Sequence, residues 1–233
     1  MSEYKRILLK LSGEAMAGDN HFGFDEANCT RVARQIRELV ESGIQVAIVT
    51  GGGNFWRGRT SKTIDRTKAD SIGMLGTVMN CVYMSEICRS LGLKTSIYTP
   101  FLCGTITELF SKDKAVSDLE AGKVVFLAGG TGHPYFSTDT TTALRAIELE
   151  CEVIAMAKAI DGVYDSDPKT NPDAKKYDKL SYQEMLDKKL QVVDLTSAVM
   201  CMENGVKTLV FSLNEDNGIV NNLSGKFTGT VVY

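Results

Sequence analysis

Ile44-Gln45-Val46-Ala47-Ile48-Val49-Thr50-Gly51-Gly52-Gly53 is the stretch on which the fold turns. Ile44 to Val49 is apolar and β-branched, with Gln45 the only polar residue, and reads as a buried strand. It runs directly into three glycines, which permit positive φ and remove the Cβ atoms that would keep an anion off the backbone. Working outward, the pattern repeats. Ile7 to Leu11 reads as a buried strand ending at Ser12-Gly13, and Lys123 to Ala128 as one ending at Gly129-Gly130. Strands that open into small-residue loops place ligands at the carboxyl edge of an α/β sheet.

Helical patterns alternate with these strands. Asp25 to Glu41 reads as a helix, with Asp25 its N-cap and Gly43 its stop. Asp70 to Leu91 follows, with Ile72, Leu75, Val78, Met79 and Val82 as its apolar stripe. Further helices are expected at Ser111 to Glu120, Asp139 to Glu150, Ser181 to Lys188 and Asp194 to Glu203. Strands are expected at Thr95 to Tyr98, Val153 to Ala157, Lys207 to Ser212 and Gly229 to Val232. The alternation predicts an α/β fold, a three-layer αβα sandwich with a largely parallel central sheet. The polar, turn-forming run from Asp165 to Lys176 reads as a mobile loop over a site.

Bulk properties narrow the function. A chain of 233 residues fits one α/β domain of two lobes. Its formal net charge of -3 gives no broad attraction for nucleic acid or an anionic membrane, so phosphate binding must come from local geometry. No apolar run approaches the ~18 residues of a membrane span, and Met1 to Arg6 has no signal-peptide core. The expectation is a cytoplasmic chain. Its six cysteines include no C-x-x-C pair, and only two histidines accompany them, so they read as buried reduced thiols.

Four segments carry candidate chemistry. Lys10-Leu11-Ser12-Gly13 sets an ammonium beside a glycine turn, suited to a phosphate; a surface lysine beside an ordinary turn reads the same way. Gly52, Gly53 and Arg57 offer backbone amides and a forked guanidinium. Gly53 to Thr60 imitates a Walker A loop with arginine in place of lysine, but Arg59-Thr60-Ser61-Lys62 has no apolar stripe for the helix such a loop needs. Thr131-Gly132-His133-Pro134-Tyr135-Phe136-Ser137-Thr138-Asp139 combines hydroxyls, rings and a helix start, with the N-cap expected at Thr138-Asp139. Asp139 suits Mg²⁺ or the orienting of a lysine. Asp161-Gly162-Val163-Tyr164 with Asp167 reads either as an adenosine border or as a β-hairpin with a solvated acidic loop.

Taken in order along nearly the whole chain, these segments resemble the amino acid kinase family and, within it, the bacterial uridylate kinases. The likeness rests on residues 4–14, Gly-Gly-Gly-Asn-Phe-Trp-Arg-Gly at 51–58, Asp70, Gly-Met-Leu-Gly-Thr-Val-Met-Asn at 73–80, and Thr131 to Asp139. Asp-Gly-Val-Tyr at 161–164, Asp167-Pro168 and Val193-Asp194 complete it. The resemblance implies transfer of the γ-phosphoryl of ATP to UMP, with Mg²⁺, in pyrimidine nucleotide biosynthesis. It implies ATP contacts at Lys10, Leu11, Ser12, Gly13, Gly53, Arg57, Lys158, Tyr164 and Asp167. UMP would lie against Gly52, Asp70 and the Thr131–Thr138 loop, namely Thr131, Gly132, His133, Pro134, Tyr135, Phe136, Ser137 and Thr138. Lys10, Arg57, Asp139 and Asp194 would act on the transferred group, and Asp139 and Asp194 would organise Mg²⁺. An acceptor lobe would cover about 1–158 and an ATP lobe about 159–233. The resemblance also implies a homohexamer, GTP as an activator near Gly18 to Gly23, and UTP as an inhibitor. His133 stands where relatives commonly have asparagine, and the arginine partners of the GTP site are not reproduced around Ser85-Glu86. Two other readings share the fold: a sibling kinase of a carboxylate or carbamate, and a nucleotide-bound storage or regulatory protein without activity.

Overall fold

The computed structural model describes residues 3–57, 63–190 and 192–233. Gly58 to Lys62, which include the arginine–threonine end of the Walker-like run, lie outside the described residues.

The chain opens with β1 (Arg6–Leu11), the short helix α1 (Gly13–Ala17), a 3-10 turn at Gly18–Asn20 and α2 (Glu26–Glu41). Asp25 caps α2 by accepting a hydrogen bond from the Asn28 amide. Next come β2 (Gln45–Thr50), α3 (Arg66–Ser90), β3 (Thr95–Thr99), β4 (Glu108–Leu109), α4 (Lys112–Glu120) and β5 (Val124–Leu127). The second half runs α5 (Thr138–Glu148), β6 (Val153–Lys158), β7 (Val163–Tyr164), β8 (Lys176–Tyr177), β9 (Lys179–Leu180), α6 (Tyr182–Asp187) and α7 (Leu195–Asn204). It closes with β10 (Lys207–Ser212), α8 (Gly218–Leu223) and β11 (Thr230–Val232).

Nine strands form one sheet in the order β4-β3-β5-β2-β1-β6-β10-β11-β9. Every described pairing in it is parallel except β10 with β11. Strand periodicity sorts the core onto two faces. Ile7, Leu9 and Leu11 point to a cluster with Val32, Ile36 and Leu39 of α2, Cys81, Met84 and Cys88 of α3, and Ile219 of α8. Leu8, Ala47, Val49, Ile154 and Met156 point to the opposite cluster, with Ala115 of α4, Ala143 and Ala146 of α5, and Ala198 of α7. The expected three-layer αβα sandwich is therefore present. Because β1, β2, β5 and β6 run parallel, their carboxyl ends bring Lys10–Gly13, Thr50–Gly53, Ala128–Gly130 and Lys158 to one edge.

The structure departs from the sequence reading along α3. α3 begins at Arg66 rather than Asp70, capped by Asp65, whose carboxylate accepts from the Thr67 and Lys68 amides. The stripe assigned to its core splits: Val78 is 7% exposed, but Ile72, Leu75, Met79 and Val82 are 41%, 53%, 47% and 36% exposed. The helix instead buries Ala69, Thr77, Cys81, Met84 and Cys88, because small residues let it lie close to the sheet. The 165–175 segment is the connection of an antiparallel β7–β8 hairpin, fastened internally by Asp165 N–H to the Lys175 carbonyl at 3.0 Å and Asn171 N–H to the Asp167 carbonyl at 2.8 Å. Its Asp165 to Pro168 stretch lines a cleft, as expected of a loop over a site.

Candidate active site

Two clefts open at the strand ends. The first, of about 360 Å³, is walled by Gly52, Gly53, Trp56 and Arg57 after β2, Arg66, Asp70, Met74 and Thr77 of α3, and His133, Phe136, Ser137, Thr138 and Thr141 at the start of α5. Its floor depends on an approach only glycine allows. A Cβ on Gly52 would sit 2.7 Å from the Gly73 carbonyl oxygen of α3. Gly129, at φ 79, turns the chain after β5 and donates its N–H to Thr77 Oγ1 at 2.8 Å, so this loop too is fastened to α3.

Asp70 joins α3 to the loop before α5. Its carboxylate receives the Arg66 Nε–H at 2.8 and 2.9 Å and the Tyr135 backbone N–H at 2.8 Å. Tyr135 is held at φ 72, a left-handed conformation costly for an aromatic residue, and the Arg66 guanidinium lies 5.4 Å from its ring centroid. Asp70 thus anchors a strained turn, and Arg66 neutralises it. Thr131 closes the turn on itself, accepting from the His133 N–H at 3.2 Å. Thr131, Gly132, Pro134 and Tyr135 belong to this loop but are absent from the described lining of the cleft, whereas His133, Phe136, Ser137 and Thr138 form its wall.

The helix cap also differs from expectation. Ser137 is the N-cap of α5, accepting from the Thr140 N–H, so Thr138 and Asp139 are its first helical residues. The Ser137 hydroxyl in turn donates to Asp194, as does Thr140 Oγ1 at 2.9 and 3.0 Å from the two carboxylate oxygens. Asp194 also caps α7 by accepting from the Ser197 N–H at 2.9 Å. Its carboxylate thus accepts from three donors, of which Ser137 and Thr140 tie the start of α7 to the start of α5. Asp194 thereby holds the helix that carries Asp139.

Asp139 faces the strand ends. Lys10 Nζ stands 3.2 Å from Asp139 Oδ1, with both side chains largely buried. That buried oxygen accepts no hydrogen bond, so the lysine reaches it as a charge and not as an aligned donor. Lys158, at the end of β6, donates its ammonium to the Val192 carbonyl. Burial pushes the Lys158 ammonium below the ordinary lysine range; Asp139 opposes that shift and Lys10 adds to it. Two ammonium groups and one carboxylate therefore meet at the edge between the clefts. Among the described residues no three His, Cys, Asp or Glu side chains gather as a metal cage. A single carboxylate with an unspent buried oxygen fits a Mg²⁺ held mainly by phosphate oxygens and water.

The second cleft, of about 530 Å³, is lined by Lys158, Tyr164, Asp167, Lys188, Lys189 and Val192 among others. The Tyr164 hydroxyl donates to Asp161 Oδ1 at 2.8 Å, and Lys176 reaches the other oxygen of Asp161 at 3.0 Å. These bonds brace the hairpin whose ring borders the cleft. On the other side of the triple-glycine loop, Arg57 pairs with Glu14 of α1, and Ser12 caps α1 by accepting from the Ala15 N–H at 3.1 Å.

A sheet of this order, with glycine loops at its carboxyl edge and a lysine facing a helix-start aspartate, has known counterparts. The model of the amino acid kinase family matches residues 5–212. The chain belongs to that family. Solved structures similar to it include a UMP kinase from Ureaplasma parvum, 35% identical over 98% of both chains with a TM-score of 0.93. A UMP kinase from Bacillus anthracis is 34% identical over 98% of this chain and 96% of its own, with a TM-score of 0.95. A uridylate kinase from Archaeoglobus fulgidus is 26% identical over 100% of both chains, with a TM-score of 0.75.

Within this amino acid kinase fold, sequence reasoning missed several wall residues. Arg66, Met74, Thr77 and Thr141 line the first cleft, and Lys188 and Lys189 the second. Arg66 and Asp70 stand four apart on a helix, a spacing that signals an ion pair. Lys188 and Lys189 carry no local signal; only the tertiary fold brings them to β6 and β7.

Proposed function

We propose that this chain is a UMP kinase, transferring the γ-phosphoryl of ATP to the phosphate of UMP to give UDP and ADP. The observation that carries the reading is the arrangement of the two clefts. One is walled by glycine amides, Arg57 and the Ser137–Thr138 helix start, the other by Tyr164, Asp167 and lysines, and Lys10, Asp139 and Lys158 stand between. The near full-length likeness to solved UMP kinases supports the same substrate pair.

The acceptor phosphate would rest on the Gly52 and Gly53 amides and the N-terminus of α5, where the helix dipole favours an anion. Asp70 would receive ribose hydroxyls, exchanging its present partners for them. ATP would place its adenosine along Tyr164 and Asp167 and its phosphates along Lys10–Gly13, Arg57 and Lys158. A phosphate monoester is already ionised near neutral pH, its second pKa being about 6. No general base is then needed, and catalysis consists of in-line alignment and charge stabilisation. Lys10 and Lys158 stabilise charge on the transferring group, while Asp139 orients Lys10. When bound with ATP, Mg²⁺ would supply further neutralisation of phosphate oxygens, with Asp139 its nearest carboxylate.

This division assigns the acceptor, with the phosphate end of ATP, to about residues 1–158 and the adenosine of ATP to about residues 159–233. A homohexamer belongs to the same proposal, supported by the exposed apolar residues Ile72, Leu75, Met79 and Val82 along α3. Activation by GTP, inhibition by UTP, a place in pyrimidine nucleotide synthesis and residence in the cytoplasm rest on the resemblance. Among the described residues, no helix is long and apolar enough to cross a membrane.

The test is ADP release from ATP and Mg²⁺ with UMP, CMP, aspartate, N-acetylglutamate and carbamate as alternative acceptors. Turnover with UMP above all others is expected, and Lys10→Met is expected to abolish it. Turnover with a carboxylate or carbamate instead would keep the fold and overturn the acceptor. ATP binding without turnover on any acceptor would point to the storage or regulatory reading.

A further inference from the structure

Asn54 and Asn80 are 1% and 0% exposed, yet neither lines a cleft nor touches the lysine–aspartate pair. They face each other as a reciprocal amide pair. Asn54 Nδ2 donates to Asn80 Oδ1 at 2.9 Å, and Asn80 Nδ2 donates to Asn54 Oδ1 at 2.8 Å. Each spends its second amide proton on backbone. Asn80 Nδ2 reaches the Gly51 carbonyl at 2.6 Å, and Asn54 Nδ2 reaches the Gly23 carbonyl at 2.8 Å. The Gly23 N–H returns the bond to the Asn54 carbonyl at 3.2 Å. A third segment closes on the pair: a Cβ on Gly13 would lie 2.4 Å from Asn54 Oδ1 and 2.8 Å from both the Asn54 and Gly53 nitrogens. The glycine turn after β1, the glycine loop after β2 and the helix α3 thus meet at two side chains whose four amide protons are all engaged.

A buried polar network costs stability when any member is unmet, but fully satisfied it fixes one geometry. Here the geometry fixed is that between the two turns assigned above to phosphate, one beside Lys10 and the other beside Arg57. We propose that Asn54 and Asn80 are positioning residues for phosphoryl transfer, an amide clamp that sets the triple-glycine loop against the Lys10–Gly13 turn. The kinetic half of this inference rests on the proposed function; the structural half does not. An apolar pair of the same size would fill the volume but take these donors from the Gly51 and Gly23 carbonyls, and the loop would then rest on its backbone bonds to Leu11 and Gly23 and the Arg57–Glu14 pair.

The chain's single tryptophan, Trp56, lies two residues beyond Asn54 and lines the first cleft, so it reports on the loop directly. Acrylamide quenching of Trp56 and steady-state kinetics with UMP and ATP would be measured for Asn80→Asp, Asn80→Ala, Asn54→Ala and the double alanine variant. Asn80→Asp keeps the shape and removes both donors. Leu39→Ala, in the core of α2 and remote from both clefts, supplies a destabilised control. We expect faster quenching in every Asn variant and a kcat lowered about 10- to 100-fold, since misplacement by about 1 Å costs that much. Both KM values are expected to stay within about threefold, and the double variant to be no worse than the single ones, as members of one unit behave. Asn80→Ser, which keeps a donor, covers the case that alanine does not fold, and is expected to fall between wild type and Asn80→Asp. Folded variants with quenching and kcat within twofold of wild type would overturn the clamp. So would kcat losses that the Leu39→Ala control matches at equal Tm. If wild type fails to phosphorylate UMP, the proposed function fails by itself, and Trp56 quenching still decides whether the pair holds the loop.

Discussion

Gly52→Ala replaces a hydrogen with a methyl group where the structure has no room for it. The new Cβ would stand 2.7 Å from the Gly73 carbonyl oxygen, 3.4 Å from the Thr77 nitrogen and 3.5 Å from the Gly76 carbonyl carbon. All three are backbone atoms of one helix, so no side chain can swing aside. Gly52 is not among the positive-φ residues, so the effect is steric contact without a Ramachandran penalty. Overpacking of this kind costs roughly 1–3 kcal/mol. For a domain of this size each kcal/mol lowers Tm by about 2–4 °C, giving a drop of roughly 2–12 °C. The loop is the softer of the two partners, so it moves away from α3, carrying with it the amides assigned to the acceptor phosphate. A shift near 1 Å predicts a loss of about 100-fold in kcat/KM for UMP, with the KM for ATP far less affected. Gly73→Ala provides the contrast. Its Cβ would come no closer than 4.0 Å to Trp56, and alanine in a helix interior is favoured over glycine by about 1 kcal/mol, so its Tm should rise. Differential scanning fluorimetry and initial rates for both variants test the argument. A Gly52→Ala protein with unchanged Tm and UMP kinetics would refute it.

Three further outcomes follow from the same geometry. Asp139→Asn should raise the Mg²⁺ concentration needed for half-maximal rate, whereas Asp194→Asn should lower Tm and kcat without moving that requirement, because Asp194 is spent on Ser137, Thr140 and Ser197; a Mg²⁺ titration of both variants separates the roles. Lys158 binds its proton more weakly folded than unfolded, so the unfolded state holds more protons between its lowered pKa and the ordinary lysine value. The Tm of wild type relative to Lys158→Met should therefore rise as pH climbs toward the ordinary lysine value, and a flat or falling difference would contradict the burial of that ammonium. Thiol titration in the folded state should label Cys103 first, because Cys81, Cys88 and Cys151 are buried, which pushes each thiol up to about 12; mass mapping of early label on any of those three would contradict their burial.

Much of this was legible in the sequence, and the limits have physical causes. Ile7–Leu11 and Ile44–Val49 are buried on both faces, and such runs announce themselves by composition. The glycine ends of three strands marked the functional edge, and Lys10 with Asp139 came together as an ion pair. Periodicity along α3 revealed that a face exists but not where it goes: small Ala69, Thr77 and Cys81 took the sheet, leaving Ile72, Leu75 and Met79 outward. The start of α3 was missed because its first turn, Arg66-Thr67-Lys68, is polar and is defined only by the Asp65 cap. Strands of two residues, such as β4, β7, β8 and β9, are too short to show a period. A carboxylate near a helix start reads alike as cap and as ligand, and the bonds of Asp194 to Ser137, Thr140 and Ser197 appear only in the fold.

The γ-phosphoryl can be followed directly by ³¹P NMR of a reaction containing the protein, ATP, Mg²⁺ and UMP. A UMP kinase yields UDP and ADP together in equal amounts, with no comparable growth of inorganic phosphate. ADP accompanied by inorganic phosphate while UMP persists, or an unchanged spectrum from folded protein, would contradict the proposed function.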